Sequence, residues 1–174
     1  MFKSGVGFYA LFGFGWWMWG LGGVAVAVAL PVGIAVALAL MLTARRRLPD
    51  EAGEFASPQV RRTFGLINGA QWLLIGGAVA GCVVGGVPEL LPALVAVIVG
   101  AHFVPLAAVF GDPRLRVPGA LLVATGIAGV LLRSLSHPSA GTMATSVGVP
   151  CAVILWGTGV WVVATGATAP RRAD

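Results

Sequence analysis

The chain alternates long apolar runs with short polar breaks, and the runs have the length of membrane spans. The first extends from Gly5 to Ala44. Forty residues at ~1.5 Å rise would reach about twice the ~30 Å thickness of a bilayer's hydrocarbon, so the run predicts two spans. Their break falls at Gly20-Leu21-Gly22-Gly23, just after Trp16, Trp17 and Trp19, because Trp favours the headgroup level. This places one span near 4–21 and a second near 24–44, the latter bent at Pro31. A cleaved signal peptide competes for this stretch, but the apolar run is too long and no polar cleavage region follows it.

Residues 45–62, RRRLPDEAGEFASPQVRR, form the one long polar stretch and predict a solvated loop that is basic at both ends. A third span is expected near 63–84. It carries Gly65, Gly69, Gly77, Gly81 and Gly85, a repeated four-residue spacing that predicts close backbone packing against a neighbouring helix. After a GGVPE turn, the fourth span covers about 89–110. Pro92 lies in its first turn, and Pro105 kinks it by removing a bond to the carbonyl of Ala101. GDPRLRVP makes a short charged loop, the fifth span covers about 117–134, and RSLSHPSAGTMA makes the next loop. The sixth span covers about 143–167 with Pro150 inside it, and the chain ends PRRAD. The expected fold is all-α: one integral membrane domain over 1–174, a bundle of six transmembrane helices. No residue pattern recurs between spans 1–3 and 4–6, as the inverted repeats of many transporters would require.

Charge gives the orientation. Six spans put both termini on one side, and the cytoplasmic face then holds Lys3, Arg45, Arg46, Arg47, Arg61, Arg62, Arg114, Arg116, Arg171 and Arg172. Only Arg133 falls outside, so the expected topology is N-in and C-in. A five-span partition, with 5–44 as one span, moves only Lys3; length decides between the two.

Composition excludes a soluble domain. Hydrophobic residues make up 58% and charged residues 10%, with mean hydropathy +0.95; soluble domains carry about 25% charged residues. The net charge of +5 does not point to nucleic acid, because the basic residues cap apolar runs instead of lining one polar face. They read as topology signals and as contacts to anionic lipid headgroups. Arg outnumbers Lys ten to one and Ala, Gly and Val dominate, usage that suggests a bacterial genome rich in G and C, and the expected location is a bacterial cytoplasmic membrane. Cys82 and Cys151 sit inside apolar runs and read as small packing residues.

The intramembrane polar side chains fall at one depth. Gln71 lies eight residues into the third span, or ~12 Å, and His102 lies eight residues from the end of the antiparallel fourth. Thr125 and Thr158 reach the same level, Asn68 lies one turn nearer the cytoplasm, and Tyr9 lies slightly to the cytoplasmic side of the layer. Polar groups in hydrocarbon are costly unless paired, so these side chains are expected to face one another. They then serve either as interhelical hydrogen bonds or as a ligand site centred on His102. Glu89 stands at the outer start of the fourth span, where the helix macrodipole favours a carboxylate. Thirteen residues, ~20 Å, separate it from His102, too far for one acid–base pair. His137 reads as a solvated loop residue.

No zinc-binding HExxH, no GxSxG and no phosphate-binding glycine loop occurs, so neither a metal nor a cofactor is expected. The stretches FGLINGAQW (64–72), PELLP (88–92) and IVGAHFVPLAAVF (98–110) resemble a family of small bacterial polytopic membrane proteins. The resemblance covers about a quarter of the chain; it implies a multi-helix membrane protein and no activity. Three functional readings follow. The first is a non-enzymatic protein binding or passing a small solute through the layer of His102, Gln71, Asn68, Thr125 and Thr158. The second is an intramembrane enzyme on a lipid or isoprenoid, with Glu89 or His102 as acid–base group. The third is an accessory subunit packing against itself or another membrane protein through its glycine faces.

Overall fold

The structure, a computed structural model, describes residues 2–48 and 57–166. Among these the chain is all-α. Helix α1 spans Phe2–Arg47, α2 Pro58–Val84, α3 Leu91–Val109, α4 Arg116–Ser136 and α5 Ala140–Gly166, with 3-10 turns at Pro88–Leu90 and Pro113–Leu115. The described residues thus form five helical segments, each long and apolar enough to cross a membrane, where the sequence pattern predicts six. Expected boundaries shift with them. The third expected span begins five residues earlier, at Pro58, which stands in the first turn where its missing N–H costs nothing. The polar loop expected over 45–62 is correspondingly shorter. Arg45 to Arg47 continue α1 and residues 58–62 open α2, while 49–56 lie outside the described residues, as do Arg171 and Arg172.

The break expected within the first apolar run falls at a different residue. Instead of two helices separated at Gly20–Gly23, α1 is one run interrupted at the single residue Ala25, whose φ/ψ of −146/46° is non-helical. The chain doubles back there. The Trp17 indole N–H donates to the carbonyl of Ala29 at 2.8 Å. A straight helix would separate those residues by ~18 Å. A methyl built on Gly33 would meet the Phe14 ring at 2.8 Å, so the two arms of α1 lie side by side. Pro31 sits inside the second arm without a non-helical residue of its own.

Around this hairpin the bundle packs in sequence of contact: α1 on α5, α5 on α4 and α3, α3 on α4, and α2 on α3. The core joins Tyr9 and Trp16 of α1 to Phe103 and Leu106 of α3, Leu122 of α4, and Met143, Val147, Cys151 and Leu155 of α5. Cys82 and Cys151 are buried free thiols, as their apolar surroundings predict. Helix α2 stands apart. Leu73 is 80% exposed and Val84 89%, exposures suited to contact with lipid chains.

The close crossings are made by glycines, but not by the expected ones. Methyls built on Gly65, Gly69, Gly77 and Gly81 meet nothing within 4 Å, and one on Gly85 meets only the Gly81 carbonyl of its own helix and Val87 just beyond it. The tight contacts lie elsewhere. A methyl on Gly100 would stand 2.6 Å from the Gly119 carbonyl oxygen, one on Gly126 2.5 Å from that of Ala93, and one on Gly148 2.8 Å from the Gly20 backbone. Backbones of α3 and α4, and of α1 and α5, therefore touch directly. The four-residue glycine spacing of α2 faces away from the bundle.

The end of the bundle that holds Glu89 is tied by charge. Arg133, at the end of α4, donates from Nε to Oε1 of Glu89 at 2.8 Å, and its second guanidinium nitrogen lies 2.7 Å from the same oxygen. Both side chains are mostly covered, at 24% and 18% exposure. The Arg133 guanidinium also meets Nδ1 of His137 at 3.0 Å. His137 is exposed, yet it ends α4 in a left-handed conformation (φ 46°) with its N–H on the Arg133 carbonyl, so it is a helix cap with a partner.

Two predictions follow from this packing. Gly126→Ala forces α3 and α4 apart and should lower stability by about 1–3 kcal/mol, whereas Gly69→Ala on α2 should leave it unchanged; thermal unfolding in detergent compares them, and equal losses would refute the assignment of the crossings. Arg133→Gln and Glu89→Gln should each lower the melting temperature, and the double variant should lose less than the sum of the two. Strict additivity would mean that the pair contributes nothing.

Candidate functional site

Helices α2 and α3 run antiparallel in the register expected from their lengths: the rings of Phe64 and Phe110 meet at 5.9 Å. Gln71 and His102 therefore share a level, and both are buried at 8% exposure. Among the described residues no hydrogen bond reaches either side chain. No described polar side-chain atom is at once fully enclosed and unbonded, so each keeps a small accessible surface.

The other members of the expected layer do not converge. Asn68 donates to the Phe64 carbonyl at 3.1 Å, Thr125 to Leu121 at 2.9 Å, and Thr158 to Ile154 at 2.7 Å. Each is a bond to the same helix four residues back, the local outlet such side chains use in helices. Among the described residues, the interhelical hydrogen bonds expected of these three are absent. Bonds between separate helices come instead from residues outside the layer. Thr145 donates to the Gly20 carbonyl at 2.6 Å, and the Trp156 indole to the Ala10 carbonyl at 3.2 Å. Glu89 belongs to the ion pair with Arg133, away from the layer.

Gln71 opens into a groove of about 450 Å³. Its walls are Phe12, Trp16 and Trp19 of α1, Trp72, Ile75 and Val79 of α2, and Leu91, Val95 and Val99 of α3. The groove exists because α2 packs on α3 alone while the first arm of α1 packs on α5, leaving a wedge between them. Trp16 and Trp19 stack at 5.2 Å on one wall. Residues 71 to 79 span ~12 Å of helix, so the single amide marks one end and Trp19 with Leu91 the other. The volume lies within the ~300–1,000 Å³ range of small-molecule sites, and an apolar lining with one placed polar group is their usual chemistry. No titratable side chain stands among its described lining residues. His102 lies on the same stripe of α3 as Val95 and Val99, one turn further on, but does not line the groove.

Of six candidate residues, the structure brings Gln71 and His102 to one level and separates the rest. The aromatic wall of Trp16, Trp19 and Trp72 is absent from the expected site, because Trp in a span reads first as an interfacial anchor. The partner of Glu89 had a visible signal in Arg133, the one basic residue that the charge pattern leaves off the expected cytoplasmic face. Described residues hold no group of three or more His, Cys, Asp and Glu able to bind a metal. Comparison with known proteins adds no name to this geometry: no family model, curated protein or solved structure matches the chain.

Proposed function

We propose that this chain is a six-span protein of a bacterial cytoplasmic membrane, N-in and C-in, that binds a small amphiphilic molecule in the groove beside Gln71. The two arms of α1 support counting six crossings: they lie side by side, and each is about twenty residues long, enough for ~30 Å of hydrocarbon. Ten of eleven basic residues fall on one face under that count.

One observation carries the binding reading: Gln71 is nine-tenths buried, makes no hydrogen bond among the described residues, and lines a large apolar groove. An unpaired amide in such surroundings costs roughly 1–3 kcal/mol, a cost that a bound carbonyl or hydroxyl removes. The preferred occupant has one hydrogen-bonding group and an apolar body that stacks against tryptophan. Acid–base chemistry on a lipid is less well supported, since Glu89 is committed to Arg133 and the groove's described lining carries no titratable acid or base.

The test is photolabelling in nanodiscs with a long-chain alcohol bearing a diazirine. Adducts should concentrate on Trp16, Trp72 and Val79, and Gln71→Leu should reduce them several-fold while leaving labelling of the lipid-exposed Leu73 unchanged. Filling the groove with Val95→Trp should abolish the same adducts. Label spread evenly over Leu73, Leu74 and the groove residues would overturn the proposal.

A further inference from the structure

A second groove, of about 380 Å³, runs between the second arm of α1 and α5. Its walls include Val36, Leu40, Val160 and Val163. Ala39, Thr43 and Arg47 also line it, and they lie on one helical stripe four residues apart. The groove therefore passes from a small side chain to a hydroxyl to a guanidinium. Arg47 lies ~12 Å beyond Ala39 along the axis, at the end where α1 carries Arg45, Arg46 and Arg47 in its last turn. Thr43 already donates to the Ala39 carbonyl at 2.6 Å, which leaves Arg47 as the charged donor of the lining.

We infer that this groove holds one anionic phospholipid, with an acyl chain along Val36, Leu40 and Val163 and its phosphate on Arg47. The charge at the mouth selects the occupant. A guanidinium offers a planar fork matched to phosphate oxygens. Three consecutive arginines repel the quaternary ammonium of a zwitterionic choline lipid and attract a headgroup of net negative charge. The apolar walls bind any acyl chain, so headgroup preference is the contribution of Arg47. This site is separate from the groove at Gln71 and stands or falls independently of it.

Native mass spectrometry of the full chain, released from detergent with phosphatidylglycerol or phosphatidylcholine added, tests the site. Phosphatidylglycerol should be retained in preference to phosphatidylcholine. Arg47→Gln should weaken that preference about fivefold, the factor that one basic residue at an anionic surface is worth, and Arg47→Lys should restore part of it. Arg61→Gln, which changes a basic residue that does not line the groove, should leave retention unchanged. Ala164→Trp, placed in the lining, should expel both lipids. Equal losses from Arg47→Gln and Arg61→Gln would mean diffuse surface attraction and overturn the inference. So would equal retention of the two lipids by the unaltered chain, or undiminished phosphatidylglycerol on Ala164→Trp.

Discussion

In a hydrocarbon solvent a helix gains little by hiding leucines from lipid, so association depends on how closely backbones approach. Here that approach is made at three places: Gly100 against Gly119, Gly126 against Ala93, and Gly20 against Gly148. At each, a single methyl would overlap a backbone atom of the neighbour. These crossings fix α3 on α4 and α1 on α5, and the remaining features follow from them. The Glu89–Arg133 pair closes only because α3 begins where α4 ends. The Thr145 and Trp156 bonds reach carbonyls of α1 only because α5 lies against it.

What the sequence shows reliably is what length and rise determine. The number of residues between polar breaks measures how far a helix can reach, and it places Gln71 and His102 at one depth. The doubling of the first run is legible for the same reason, although the turn falls at Ala25 and not in the glycine cluster before it. A residue between two long apolar arms can make the turn alone, so composition does not mark it.

Rotation about each helix axis is the quantity that spacing leaves open. The glycines of α2 recur every fourth residue as well as any packing motif does, yet they face open space, while Gly100, Gly119 and Gly126 carry the contacts without such a run. The spacing states that a smooth stripe exists but not which helix it meets. The polar layer fails in the same way. Residue counting puts Thr125 and Thr158 at one depth with Asn68 a turn away, but each has a carbonyl of its own helix within reach, so none needs a partner across the bundle. Arg133 and Glu89 are 44 residues apart in sequence. Their pairing is visible beforehand only as a charge out of place.

Gln71 is the exception on which the proposed binding preference rests. Its amide is longer than the side chains of Asn68 or Thr125, and in this bundle it folds back on no carbonyl of α2; instead it stands at the edge of the wedge that α2 leaves against α1. The wedge arises because α2 has only α3 to pack on, with no glycine crossing to draw it inward. Tryptophans widen that space without filling it: Trp16 and Trp19 stack on each other, and Trp72 remains 64% exposed. An all-apolar wall would accept any lipid chain equally. One amide at its end makes a chain carrying a hydrogen-bonding group at the right depth the better fit, by the difference between a satisfied and an unsatisfied polar group in hydrocarbon.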